Sequence, residues 1–175
     1  QHLDAFKALC AKSIGKARPQ QAPPPALKGA GTNVAPAAKL AVSGTLKTDE
    51  MPLARITDGE ADTADNRGRW LSGGKLPHWV EFAWDAPQTL ALARIVSGYV
   101  SDGQPGDPIG DFVLQMHDGT EWKDIPGTTV KGNAKVDWHV AFPPVTARRV
   151  RLLITATKGN CSRLWEVELY APAKK

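Results

Sequence analysis

A small set of oxygen-bearing side chains forms the first pattern that could do chemistry. Asp58 and Glu60 stand two residues apart with a glycine between them, and Thr63 follows three residues after Glu60. Glu166 lies far away, near the C-terminus. Calcium takes hard oxygen ligands, and the carboxylates and hydroxyl of the loop at 58–63 are of that kind, although carboxylates in turns are usually only solvated. The alternative is that Asp58 caps a turn and Glu166 pairs with an arginine such as Arg55.

Residue patterns typical of catalysis are weak in this sequence. We find no nucleophile–histidine–acid pattern, no glycine-rich phosphate loop and no zinc-ligand spacing. Glu166 and Glu168 could imitate a pair of glycosidase acids, but they stand two apart on one predicted strand. The four histidines are scattered along the chain as His2, His78, His117 and His139. We therefore expect a protein that is not an enzyme.

The distribution of charge argues against a nucleic-acid partner. The chain has 175 residues and a net charge of +4. Residues 1–48 hold seven basic residues and one acidic residue, so the rest holds 15 bases and 17 acids. Nucleic-acid binding usually requires a basic face on the folded domain itself. No apolar run approaches the roughly 20 residues that a membrane-spanning helix needs.

The first part of the chain reads as a tail and a linker. Apolar residues recur at helical spacing within 3–16, which predicts a short helix, and we assign 1–18 to the tail of a preceding region. Residues 19–38 are rich in Pro, Ala and Gly, a composition typical of a linker. Cys10 and Cys161 match no metal or redox spacing; a bridge between them is open, although we favour free thiols. We expect the chain to be the C-terminal part of a larger protein.

Residues 39–173 have the texture of an all-β domain. Short β-prone runs alternate with turn signals such as DG, SGG, PG and KGN. In the last run, RLWEVELY, strict alternation would place Leu164, Glu166 and Glu168 on one face and Trp165 and Val167 on the other. Such strands without intervening helices predict a sandwich or barrel of about eight strands.

Five motifs in order resemble the discoidin, or coagulation-factor C-type, family of galactose-binding-like domains. They are ITDGEADT followed by Trp70, HWVEFAWDAPQTLALARIVSGY, FVLQMHDGTEWKDI, FPPVTARRVRLLI and RLWEVELY. The resemblance covers about 130 residues, from Ala41 to Pro172. It departs at Trp84 and Asp85, which replace the family's usual strand end. The resemblance implies a jelly-roll β-sandwich with chain ends close together.

The same resemblance implies a structural calcium ion. The family's ligand positions include two backbone carbonyl groups, the aspartate of the DG pair and the glutamate of the last strand. Transferred to this sequence, the positions are Arg55, Asp58, Glu60, Thr63, Trp165 and Glu166. Glu60 departs from the shorter Asn or Asp that is usual. The ion would join the first loop to the last strand.

The resemblance also indicates where a sugar would bind, namely on loops at one end of the sandwich. The histidine and arginine of the galactose-binding members are replaced, with Leu71 and Ser72 at the first position and Ser101 and Asp102 near the second. The loops offer other polar and aromatic groups: Asn66, Arg67, Arg69, Tyr99, Asp102, Asn160 and Arg163. Arginines bind carboxylates and sulfates bidentately, which favours an acidic polysaccharide.

The six tryptophans divide into two groups. Trp70, Trp79 and Trp122 fall on the family's core markers and are predicted to pack inside. Trp84, Trp138 and Trp165 remain open as platforms for a sugar ring.

Two interpretations of function follow. The first is a non-catalytic carbohydrate-binding accessory module, attached to a polysaccharide-active catalytic domain in the same chain and located outside the cell or in the periplasm. The second is a purely structural or protein-interaction domain at the C-terminus of a bacterial enzyme, with no sugar binding. Fold alone does not decide between them.

Overall fold

The computed structural model describes residues 30–46, 50–64, 66–159 and 161–173. The predicted helix and the first part of the predicted linker lie outside these residues. The described residues form ten strands and three short 3₁₀ turns, the turns at Ala35–Ala37, Leu53–Ile56 and Asn66–Gly68. The strands are β1 Ala30–Asn33, β2 Lys39–Val42, β3 Trp70–Leu71, β4 His78–Ser97, β5 Tyr99–Ser101, β6 Gln104–Gly106, β7 Ile109–His117, β8 Trp122–Asp124, β9 Asp137–Thr157 and β10 Arg163–Pro172.

One curled antiparallel sheet holds most of these strands. Its order is β1-β10-β4-β9-β7-β8, with β2 added to β4 and β3 added to β10; β5 and β6 form a separate hairpin. The long strands β4 and β9 change register in the middle, because residues 84–87 of β4 lie opposite a single residue of β9. This irregularity bends both strands and lets the sheet fold over its own apolar side. The predicted all-β sandwich is confirmed.

The core lies between the two halves of the curled sheet. Phe82, Leu114, Leu152 and Val167, which come from four different strands, are fully buried. Each such side chain stabilises the fold by about 1.5–3 kcal/mol relative to an exposed position. The alternating pattern of β4, in which Val80 and Phe82 point inward, is the sequence feature that creates this face.

A bulge in β10 corrects the predicted faces of that strand. Leu164 pairs with Ser97 and Glu166 with Val96, so Trp165 is an extra residue on its strand. The extra residue reverses the alternation. Leu164 therefore joins the core together with Val167, whereas Glu166 faces the other way and is nevertheless buried.

The predicted linker extended too far. Residues 30–38 form β1 and a 3₁₀ turn, and β1 pairs with the end of β10. Ala35 is fully buried, and the indole of Trp84 donates a hydrogen bond to the carbonyl oxygen of Val34. A Cβ at Gly31 would collide with the carbonyl oxygen of Ala171, so this small residue permits the close pairing. A composition typical of linkers here builds an edge of the domain.

The tryptophans also differ from their prediction. Trp70 is fully buried, as expected, but Trp79 and Trp122 are half-buried and do not belong to the core cluster. Trp84 and Trp165 are buried instead. The physical reason for Trp79 is the alternation of β4, which places this residue on the same face as Glu81.

Candidate functional site

Several loops meet at one end of the sandwich, which we call the loop end: residues 66–69, 72–77, 98–108, 158–159 and 161–163. Backbone hydrogen bonds tie these loops together. The amide of Ser72 donates to the carbonyl of Ser162, and the amide of Gly98 donates to the carbonyl of Arg163. The loops that the sequence analysis selected for ligand binding therefore adjoin one another.

A buried histidine fastens the loop end from inside. The Nδ1 atom of His78 lies 3.0 Å from the hydroxyl oxygens of both Ser72 and Ser162. The amide of Ser162 also donates to the Ser72 hydroxyl at 2.8 Å. All three residues are at most 2% exposed, so a substrate could not contact them and a structural role fits. Sequence spacing did not indicate this cluster, because its members come from three separate segments.

Two arginines of the predicted ligand set come together at the loop end. The guanidinium of Arg69 lies 5.5 Å from the centre of the Trp165 ring, a cation–π distance. Arg163 forms an ion pair of 3.2 Å with Asp107, which the sequence analysis did not select. Burial lowers the pKa of Arg69, and the positive charge of Arg163 lowers it further. Because like charges repel, an anion beside them would be stabilised.

The other predicted ligand residues are arranged less closely. The ring of Tyr99 covers Gly106 within the β5–β6 hairpin, because a Cβ at that glycine would collide with it. Asp102 lies exposed at the tip of the same hairpin with a φ of +50°, and Arg67 is exposed. Asn160 and the side chain of Asn66 lie outside the described part of the chain.

Two open cavities flank residues 158–159. One, of about 470 Å³, lies between the β5–β6 hairpin and the loop at 132–134. The other, of about 400 Å³, is lined by Gly74, Lys75, Leu76 and Gly159. Volumes of this size lie within the range of small-ligand sites.

The predicted metal residues converge at a second place, along β10. The amide of Gly59 donates a hydrogen bond of 2.9 Å to Oε2 of Glu166, which brings the loop of Asp58 against the last strand. The other carboxylate oxygen of Glu166, Oε1, is buried and has no hydrogen-bond partner among the described residues. Burial raises the pKa of Glu166 to about 8, and the charges of Glu168 and Asp58 add to the effect. An orphaned, buried carboxylate oxygen beside a second carboxylate is an environment that a cation would stabilise.

The donor chemistry fits calcium with two strong ligands. Within the described residues no group of three His, Cys, Asp or Glu side chains is placed to hold a metal ion, so Thr63 and backbone carbonyls would have to complete the site. The alternative to a metal site, in which Asp58 caps a turn and Glu166 pairs with Arg55, is right in its first part. Oδ1 of Asp58 caps a turn by accepting a hydrogen bond from the amide of Glu60. Arg55, however, pairs with Asp58 at 3.3 Å and not with Glu166.

A second buried acid on β10 is fully paired. Glu168 accepts a hydrogen bond of 3.1 Å from Arg94 and one of 2.8 Å from the hydroxyl of Tyr170. Arg94 also forms a bidentate pair with Asp137, at 2.9 and 2.7 Å. These interactions raise the pKa of Arg94 despite its burial, so the guanidinium stays charged.

Two further observations concern the surface and the thiols. No helix in the described ranges is long and apolar enough to cross a membrane. Cys161 is half-buried and forms no disulfide with any residue that the structure describes. Its predicted alternative partner, Cys10, lies outside those residues.

Solved structures share this architecture. The family 32 carbohydrate-binding module from Streptococcus pneumoniae EndoD is 20% identical with a TM-score of 0.65, and the match covers 80% of this chain and 99% of that one. Chitosan-binding module 2 in complex with chitotriose, from a chitosanase/glucanase of Paenibacillus sp. IK-5, is 21% identical with a TM-score of 0.63, over 79% and 100% of the two chains.

A third match, SpGH29, is 20% identical with a TM-score of 0.62; it covers 81% of this chain but only 28% of that longer one. At these identities the likeness establishes the fold, and it agrees with the predicted jelly-roll sandwich.

Sequence comparison identifies the family. No curated protein matches the chain. The model of the F5/8 type C domain family matches residues 39–167, which is most of the chain and includes every strand from β2 to the first half of β10. Four of the five motifs that carried the predicted resemblance fall within this range, and the fifth, RLWEVELY, lies in it as far as Val167. The chain therefore belongs to the F5/8 type C, or discoidin, domain family.

Proposed function

We propose that this domain is a non-catalytic carbohydrate-binding module whose ligand binds at the loop end. Family membership and the likeness to two isolated carbohydrate-binding modules support the proposal, since the match spans nearly all of each module. The observation that carries it is the convergence of separate loops around Arg69 and Arg163, next to two open cavities.

An acidic polysaccharide is the ligand class that fits these loops. Arg69 and Arg163 bring two positive charges into a partly buried setting, and Arg163 forms an ion pair with Asp107. A carboxylate or sulfate group of a sugar would add negative charge beside the two guanidinium groups and accept bidentate hydrogen bonds. The neutral-sugar residues of the galactose-binding relatives are replaced here, which also favours a charged ligand.

A structural calcium ion is the second part of the proposal. Asp58 and Glu166 would provide the carboxylates, and Arg55 and Trp165 would provide backbone carbonyl oxygens. Glu60 and Thr63 would complete the shell. The ion would cross-link the loop at 58–63 to β10 and stabilise the folded state, because it binds only when both segments are in place. The orphaned Oε1 atom of Glu166 is the observation that supports it.

The domain's setting is also proposed. The match covers only 28% of the longer SpGH29 chain, and the chitosan-binding module derives from a chitosanase/glucanase, so domains of this fold occur within larger proteins. We place this domain beside a catalytic domain of the same parent chain, in an extracellular or periplasmic protein. Its role would be to hold that enzyme on its polysaccharide.

A glycan array followed by calorimetry tests the loop-end site. The whole chain should retain acidic glycans such as oligogalacturonates more strongly than neutral ones. The substitution Arg163→Ala should weaken binding about tenfold, the usual cost of one charge-assisted hydrogen bond. Lys39→Ala is the matched control, because Lys39 is exposed and pairs with Asp85 at the other end of the sandwich.

Two outcomes would contradict the proposal. If no neutral or acidic glycan is retained, with or without calcium, the domain is a structural or protein-interaction unit. If Arg163→Ala binds acidic glycans as tightly as the wild type does, the ligand does not contact the loop end.

A further inference from the structure

The end of the sandwich opposite the loop end carries a groove of its own. Its volume is about 520 Å³, and it is open to solvent. The tip of the β7–β8 hairpin forms one wall, and the bends of β4 and β9 form the other. Its lining residues are Pro87, His117, Asp118, Gly119, Thr146, Ala147, Arg148 and Arg149. Neither the sequence motifs nor the family resemblance pointed to it.

The acids around this groove already have partners. Asp118 accepts hydrogen bonds from the amides of Thr120 and Glu121, and it forms an ion pair with Lys123. These contacts hold the pKa of Asp118 well below its usual range. Nearby, Asp85 pairs with Lys39. The groove therefore offers few free acceptors.

Its donors, in contrast, are available. Arg148 is exposed, and its positive charge lies close enough to Asp85 to help lower the pKa of that carboxyl group, which itself accepts a hydrogen bond from Lys39. Arg149 is fixed by a bidentate pair with Glu81 through Nε and Nη2, which leaves Nη1 for a ligand. The ring of Trp122 also holds Arg149, at 5.2 Å. The rigid placement lowers the entropy that binding would cost.

His117 adds a further donor. Its Nδ1 accepts a hydrogen bond of 3.1 Å from the amide of Gly119, so in the neutral ring the proton resides on Nε2. The ring stands edge-on to Trp122, with centres 5.1 Å apart. Because two of these donors are positively charged arginines, the groove favours a ligand that supplies negatively charged oxygen atoms.

The geometry points to a second saccharide-binding site in this groove, specific for a sugar that bears a carboxylate or sulfate group. Arg148, Arg149 and His117 would bind the anionic group, and Pro87 and Ala147 would contact the apolar face of the ring. The volume is suited to a small saccharide and exceeds what a bare ion needs. The inference rests on the proposed function only for the ligand class, since the site shares no residue with the loop end.

Nuclear magnetic resonance titration of the whole chain separates the two sites. Trigalacturonate should shift the amide signals of Gly119 and Arg148, whereas its neutral methyl ester should not. Signals of Gly74 and Gly159 report on the loop end independently. Either site can thus fail without the other, and Arg163→Ala should leave the Gly119 response unchanged.

The decisive variant is Arg148→Ala, which removes an exposed side chain and should not affect folding. It should weaken the Gly119 response about tenfold, while Lys135→Ala, an exposed cation outside the groove, should not alter it. Equal binding by the two variants would overturn the site. Equal affinity for inorganic sulfate alone, or for a hexaglutamate peptide, would overturn its assignment to a saccharide.

Discussion

Two glutamates on β10 show how the same side chain can be buried in opposite circumstances. Glu166 and Glu168 stand two residues apart and are 1% and 5% exposed. Glu168 uses both oxygens, one for Arg94 and one for Tyr170. Glu166 uses one oxygen, for the amide of Gly59, and its other oxygen has no partner among the described residues.

The difference separates a completed network from a site that lacks a partner. The charge of Glu168 is balanced by a guanidinium in the same layer, so burial costs little beyond the desolvation of the pair. The charge of Glu166 is opposed by burial and by Asp58 and Glu168, which explains its raised pKa. A carboxyl group in such a place either keeps its proton or, in its charged form, is stabilised by a cation beside it.

The largest expected effect comes from removing the guanidinium of Arg94, which binds both Glu168 and Asp137. Arg94→Met should leave Glu168 buried without its charge partner, and Asp137 without its bidentate donor. The loss of one member of a buried pair costs about 3–5 kcal/mol in unfolding free energy. Urea denaturation in the presence of a chelator would measure it.

Lys39→Met is the control for that experiment. Lys39 and Asp85 form an ion pair whose side chains are 78% and 88% exposed, so its loss should cost far less than the loss of Arg94. Similar losses in the two variants would mean that the Glu168 network does not stabilise the fold. The partners of Glu168 would then give it no advantage in unfolding free energy over Glu166.

Calcium should affect the two glutamates differently. If the ion binds beside Glu166, a calcium concentration of about 100 times Kd should raise the unfolding free energy by about 2.7 kcal/mol. Glu166→Gln should greatly weaken this response, because the amide has no negative charge and offers one oxygen in place of two. Glu168→Gln should retain it, even though the variant starts from a lower stability. Differential scanning calorimetry with calcium or with chelator gives the comparison.

A melting temperature that is identical with calcium and with chelator would refute the ion. An equal calcium response in wild type and Glu166→Gln would place the ion elsewhere.

The contact between the loop of Asp58 and Glu166 was predictable from the sequence, and the neighbouring network was not. The first contact joins two recognisable motifs at the two ends of the domain. The pairing of Arg94 with Glu168 depends on the register between β4 and β10, which no local pattern encodes. The bulge at Trp165 is equally invisible, and strict alternation therefore placed Leu164 on the wrong face.

The fold class followed from short alternating runs and turns, but the domain's first strand did not. Residues 30–38 have linker composition, and they pack because Gly31 and Ala35 are small enough for a close approach to β10 and to the core. Shape complementarity of this kind depends on the partner strand. The outward position of Trp79, in contrast, was available from the alternation of HWVEFAW and was missed because the motif suggested a core residue.

The smallest effect should follow from giving Glu168 an orphaned oxygen like that of Glu166. Tyr170→Phe removes the hydroxyl that donates to Oε2 of Glu168. Leaving a buried acceptor without a partner should cost about 1–2 kcal/mol, and calcium should not restore the loss, because Glu168 is not among the predicted calcium ligands.

The pH dependence of the same variant provides the check on the hydroxyl itself. Burial raises the pKa of Tyr170 from 10.0 to about 12, and the hydrogen bond to Glu168 adds to the effect. A folded-state pKa above the unfolded value means that the protonated form stabilises the fold. This stability is complete below pH 10 and is lost as the pH rises towards 12. Urea denaturation at intervals across this range should therefore show the wild type approaching Tyr170→Phe in stability; a constant difference up to pH 12 would mean that the variant acts through packing and not through the bond to Glu168.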